Sequence, residues 1–257
     1  MERLRNRQAD GLNNAVIRAF GLVFLLVGAV GRAMYQSDVL GIVGLTMDER
    51  SAHLAANPNL LSLLITAWIL LSVEVCAVPV FAFLLAEGME HTENLKKYAI
   101  RTAAVALACE IPFDLIMSGR IFWLDYQNPV FGLLIAMALI TFFRRFDENS
   151  GKNRLMKILL LAVAVLWANM LRLDSTGAGI IILTAALWEF RESRRWLAGI
   201  LACVVTALIS PFFLAAPLSF LILRAGNGEK GGESRWVNYL AYPAILLAVA
   251  LGNHFLF

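Results

Sequence analysis

The sequence predicts an all-α integral membrane protein: a polytopic bundle of about nine transmembrane helices, forming a single domain over residues 1–257 with a short cytoplasmic segment at 1–13. Three observations predict it. Hydrophobic residues make up 60% of the 257, with a mean hydropathy of +0.71, where a soluble domain is usually about 45–50% apolar. Runs such as LLSLLITAWILLSV (60–73) and LMKILLLAVAVLWANML (155–171) recur between short polar breaks. They do not alternate apolar with polar residues, as the strands of a membrane β-barrel would. The basic residues, finally, gather in the breaks, as topology signals do.

A spanning helix needs roughly 20 apolar residues. The segments expected are 14–35, 59–86, 98–119, 128–143, 155–171, 176–190, 196–210, 212–224 and 236–253. The first is followed by no small-residue cleavage site, so it is read as a helix and not as a removed signal. The stretch 196–223 is short for two spans and long for one, and Pro211 and Pro217 argue for a break near its middle. Charge decides the count. With the N-terminus in the cytoplasm and nine crossings, 18 of the 22 Lys and Arg face the cytoplasm, and only Arg32, Arg50, Arg120 and Arg172 lie outside. The C-terminus is then outside, and GNGEKGGES (226–234) is a flexible polar loop on the inside. The net charge of +3 is small and is accounted for by topology, so no nucleic-acid surface is expected. Cys76, Cys109 and Cys203 all fall in apolar segments and imply no disulfide framework.

Ionisable residues in membrane helices cost roughly 2.5–3.5 kcal/mol on insertion scales and mark a site or a buried pairing. Glu110 and Asp114, in EIPFDLIMSG (110–119), stand one helical turn apart on one face with Pro112 between them. They are the candidate catalytic pair, able to orient a substrate amine or hydroxyl, or else they stitch a kinked helix end to its neighbours. Glu74 lies near the middle of a span, five residues before Pro79, as a relay or a hydrogen bond to another helix. Gln127 and Asn128 begin the fourth segment and Asp174 begins the sixth, where it suits an N-cap. With Glu110 and Asp114 these residues converge on the extracytoplasmic leaflet, so Glu74, Gln127, Asn128 and Asp174 are the expected polar pocket. His53, His91 and His254 lie in loops or at the C-terminus. No metal-ligand spacing, phosphate loop or Ser–His–Asp set is present. The glycines of GAVG (28–31) and GAG (177–179) suit close helix packing.

The order of motifs then carries a resemblance. PVFAFLLAEGMEHTENLKKYAIR (79–101) runs into EIPFDLIMSG and QNPVF (127–131). DSTGAGI (174–180), RAGNGEKGG (224–232) and RWVNYLAYP (235–243) follow. Over residues 14–250 the chain resembles the TraX family of bacterial membrane proteins, named for a conjugation protein that acetylates pilin. The resemblance implies a membrane acyltransferase fold in the bacterial cytoplasmic membrane, with acetyl-CoA approached from the cytoplasm as acyl donor, no metal, and an acceptor of unstated identity at or beyond the membrane. It also implies three ionisable positions that this chain lacks. The family's first-helix Asp-His pair matches Gly28 and Ala29. Its arginine four residues before the second-helix proline matches Val75. Its last-helix Tyr-Pro-x-His matches Tyr242, Pro243, Ala244 and Ile245. Acyl transfer to an amine usually uses a histidine base. Three readings follow: an acyltransferase with acids in place of histidine, a silent relative serving as a subunit of a membrane complex, or a transporter-like protein with Glu74 on its path.

Overall fold

The computed structural model describes residues 11–146, 150–232 and 235–256, with side chains described at all but 235–238 and 253–256. Among the described residues the regular structure is helical, joined by two isolated bridges, Leu12 to Gly226 and Gln127 to Leu173. The helices are α1 (Asn14–Gln36), α2 (Met47–Ala56), α3 (Pro58–Glu74), α4 (Ala77–His91), α5 (Leu95–Ser118), α6 (Val130–Phe143), α7 (Gly151–Met170), α8 (Ser175–Glu189), α9 (Arg195–Thr206), α10 (Phe220–Arg224) and α11 (Arg235–Leu256). Arg3, Arg5 and Arg7 of the expected cytoplasmic segment, and the side chain of His254, lie outside the described residues.

Three stretches are long and apolar enough to cross a membrane: Asn14–Gln36, Pro58–His91 and Gly151–Met170. Their exposed faces carry many large apolar side chains. On α7, Leu155, Ile158, Val163, Leu166 and Met170 all point outward, an arrangement that suits lipid and not water.

Ion pairs and ring contacts tie the helix ends into two layers. At one end, here the Arg18 end, Arg195 at the start of α9 meets Glu87 of α4 at 2.7 Å, and Lys157 of α7 meets Glu189 at the end of α8 at 2.7 Å. The guanidinium groups of Arg144 and Arg191 both stand over the Trp188 ring, 5.1 and 4.4 Å from its centroid. Arg101 of α5 stands over the Tyr239 ring of α11 at 6.0 Å. At the opposite, Arg32 end, α1 finishes beside Glu74 of α3 and Asp174 before α8. The residues from Arg18 to Arg32 span about 21 Å of α1 at helical rise.

Several expectations are revised. The segment 59–86 is two helices meeting at Val75 and Cys76. Pro79 has no N–H to give the Val75 carbonyl, and Val78 N donates to it instead at 3.1 Å, tightening the turn. The segment 212–224 is not one helix but two 3₁₀ turns, Pro211–Leu214 and Ala216–Ser219, followed by the five-residue α10. Helix α2, polar and outside the nine segments, was not expected. Its signature is Thr46 with Glu49 three residues on, a reciprocal capping box. The Thr46 backbone and hydroxyl hydrogen bonds hold the Glu49 carboxyl below the usual carboxylate range. His53 lies within α2 and His91 ends α4.

The glycine-rich loop is also held, not free, over the part described. Leu12 N donates to Ala225 O at 2.7 Å, Asn227 N to Leu12 O at 2.8 Å, and Asn14 N to Glu229 O at 2.7 Å. This brings Lys230 against the start of α1. Residues 233–234 lie outside the described residues. The expected close packing of GAG is present: a Cβ on Gly132 of α6 would sit 2.6 Å from the Gly177 carbonyl oxygen of α8. Cys76, Cys109 and Cys203 are free and buried.

Candidate functional site

The polar residues of the Arg32 end separate into two groups. The first is built on Arg32, near the end of α1. One of its terminal nitrogens, Nη2, donates to both Glu74 carboxylate oxygens at 2.8 Å and to Asp174 Oδ2 at 3.0 Å. The three side chains are 12%, 5% and 16% exposed, so the cluster is withdrawn from solvent. Local sequence puts each one there. The Val75–Cys76 turn ends α3 at Glu74. Asp174 caps α8, as its position suggested, accepting from Ser175 N at 2.8 Å, and its other oxygen accepts from the Thr176 hydroxyl at 2.8 Å. Gly28, one turn before Arg32, makes room for Glu74: a Cβ there would lie 2.2 Å from both Glu74 Cβ and Cγ. The Phe113 ring supports the guanidinium at 5.8 Å.

The second group is on α5. Asn128 is fully buried; its Nδ2 donates to the Ala106 carbonyl at 2.9 Å and to Glu110 Oε2, and its Oδ1 accepts from Val130 N at 3.0 Å. Asp114 Oδ2 accepts from Trp123 N at 2.9 Å, while its buried Oδ1 has no partner among the described residues. Glu110 and Asp114 thus fasten the loop 119–129 to α5. Gln127 acts through its backbone, receiving from Asp174 N at 3.5 Å and donating to the Arg172 carbonyl at 3.0 Å.

Glu74 joins Asp174 through Arg32, and Glu110 joins Asn128. The described link between the two groups runs through backbone, from Asp174 N to Gln127 O, and no described side-chain hydrogen bond joins them. None of Glu74, Glu110, Asp114, Gln127, Asn128 or Asp174 lines the cleft at that end. That cleft, about 830 Å³, is lined by Arg32, Arg50, Arg120 and the aromatic residues Tyr35, Trp68, Trp123 and Tyr126. A second cleft of about 620 Å³ opens at the Arg18 end, where Arg18, Lys97, Arg101 and Lys230 surround Tyr98 and Tyr239. Among the described residues no group of three His, Cys, Asp or Glu is assembled that could hold a metal.

Sequence reasoning assigned Arg32 to the outside charge count and missed its role. The signal was present: residue 32 falls inside the 14–35 apolar segment, and an arginine there requires a partner as much as Glu74 does.

The family model described as TraX protein matches residues 60–251. The chain belongs to the TraX family. The match covers α3 to most of α11 and leaves α1, with Gly28, Ala29 and Arg32, outside the matched range. No curated protein and no solved structure matches the chain. Within this TraX chain, two of the positions that the family resemblance marks as histidine fall in one apolar cluster: Ala29 is buried in it with Cys109, Phe113 and Leu246, and Ile245 packs against its edge.

Proposed function

We propose that this chain is a multi-pass membrane protein of the acyl-CoA-dependent acyltransferase type, with its Arg18 end in the bacterial cytoplasm, a donor cleft retained and a transfer centre closed. Nine crossings is the count that the distribution of Lys and Arg along the sequence favours. Acetyl-CoA is the donor that the family resemblance implies, and it brings the thioester-bound acyl group when bound. The cleft at the Arg18 end suits it. Lys97, Arg101 and Lys230 offer cations to phosphates, and Tyr98 and Tyr239 offer ring faces to a base.

The observation that carries the closed centre is that Ala29 and Ile245 both belong to the apolar cluster that includes Phe113. Where the family pattern has two imidazoles, this chain has a methyl group and a sec-butyl group in apolar surroundings. The membrane acids do not restore a base. Glu74 and Asp174 are committed to Arg32, Glu110 to Asn128, and Asp114 to the Trp123 backbone. The protein then serves as a donor-binding, non-transferring subunit of a membrane complex. A second reading keeps activity, with Glu74 as base. It is favoured by one fact: Arg32, which holds Glu74, lines the 830 Å³ cleft.

Equilibrium binding of acetyl-CoA to the purified full chain in detergent tests the donor cleft. Binding is expected to weaken as salt rises, and Lys97→Gln and Arg101→Gln are each expected to weaken it about 5- to 10-fold. Absence of binding at millimolar ligand, or binding indifferent to both variants, would remove the acyl-donor reading.

A further inference from the structure

The cleft at the Arg32 end has a charge balance that the donor reading does not use. Arg32 is matched by Glu74 and Asp174. Asp125, the acid on the cleft wall, pairs with Arg172. Arg50 and Arg120 remain. Neither has an ion-pair partner among the described residues; Arg50 gives a single long bond, 3.4 Å, to the Ile42 carbonyl, and its buried Nε has no partner. Two guanidinium groups therefore face one cavity with no carboxylate committed to them. An amine acceptor would be repelled there. An oxyanion would be held, because a guanidinium fork matches phosphate oxygens.

The rim narrows the choice of anion. Ile121, Phe122 and Leu124 on the loop beside Arg120 are 57%, 75% and 79% exposed. Trp123, between them, stands against Tyr126 with ring centroids 5.4 Å apart. Apolar side chains projecting beside Trp and Tyr are the composition of a membrane interface. Phosphate chemistry inside a cleft and hydrocarbon chemistry along its edge describe one amphiphile.

We propose that this cleft binds the phosphate headgroup of an anionic phospholipid, with Arg50 and Arg120 on the phosphate and the acyl chains along residues 121–124. The site rests on the membrane embedding but not on acyl-donor binding, because Lys97 and Arg101 stand at the opposite end of α5. A failure of either leaves the other intact.

The test uses the purified full chain in detergent, titrated with phosphatidylglycerol, with phosphatidylcholine of the same acyl chains, and with inorganic phosphate, while lipid bound per protein and tryptophan emission are read. Phosphatidylglycerol should bind at least tenfold more tightly than phosphatidylcholine. Arg50→Gln and Arg120→Gln should each weaken it about fivefold, since each basic contact with an anionic headgroup region is worth that much. Lys152→Gln, on the opposite end of the protein, should change nothing. Arg120 is exposed, so its variant is expected to fold and is the decisive one. Equal binding of the two lipids, or Arg120→Gln binding like wild type, overturns the proposal. Inorganic phosphate binding as tightly as the lipid also overturns it, in favour of a soluble anion.

Discussion

Arg32→Gln is expected to destabilise the protein by about 3–5 kcal/mol, the range for removing one partner of a buried ionic group. The variant leaves Glu74 and Asp174 as two carboxylates in a site shielded from solvent, each having lost the one cation that pairs with it among the described residues. Thr176 and Ser175 still serve Asp174, so most of the loss falls on Glu74. Thermal unfolding in detergent reads the effect. The cause is separable from lost packing. Adding Glu74→Gln and Asp174→Asn to the Arg32→Gln background removes the unpaired charge and should recover a large part of the stability. A single variant that melts with wild type would mean that the cluster is hydrated and carries little energy.

Gly28→Ala is the second large effect. The added methyl would occupy space held by the Glu74 side chain, 2.2 Å from two of its carbons and 2.6 Å from its carboxyl carbon. Either α1 and α3 separate or Glu74 turns away from Arg32. Overpacking alone costs about 1–3 kcal/mol, and a displaced Glu74 adds part of the ion-pair loss. The clash is specific to one side chain, so Gly28→Ala with Glu74→Ala should be less destabilised than the two single variants added together. The coupling expected for contacting residues is about 0.5–3 kcal/mol. Strict additivity would show that residues 28 and 74 do not meet. The same geometry explains why position 28 holds no acid here. A side chain at 28 and Glu74 in its present place exclude each other.

Much of the helical layout could be read from apolar runs and their breaks, because lipid-facing and core-facing positions are both hydrophobic and a span needs little else. Asp174 as a cap was legible for the same local reason: a carboxylate just before a helix finds a free N–H. What failed was anything that depends on three ends meeting. Glu74 is central in its apolar run and stays at mid-length beside Gly28, and the side chain of Arg32 and the cap Asp174 reach it from the helix ends. Arg32 was counted as a topology charge, although its position inside α1 made a buried partner necessary. The 212–224 stretch reads as a helix by composition, but Pro211 and Pro217 break it into 3₁₀ turns. Helix α2 was hidden because its polar residues lack the apolar signal, and only its capping box marks it. The partners that EIPFD finds, Asn128 for Glu110 and the Trp123 N–H for one Asp114 oxygen, come from a loop whose path the sequence does not reveal.

In the proposed function the donor still binds while the transfer centre is closed by the apolar surroundings of Ala29 and Ile245 and by the Arg32–Glu74–Asp174 pairing. The most direct test is release of free CoA from acetyl-CoA by the full chain in lipid nanodiscs, supplied with a membrane extract as acceptor. Release is expected to be no faster than in protein-free nanodiscs, at donor concentrations that saturate binding. Catalytic release that Glu74→Gln abolishes, with acetyl-CoA binding intact, would contradict it and establish Glu74 as a working base.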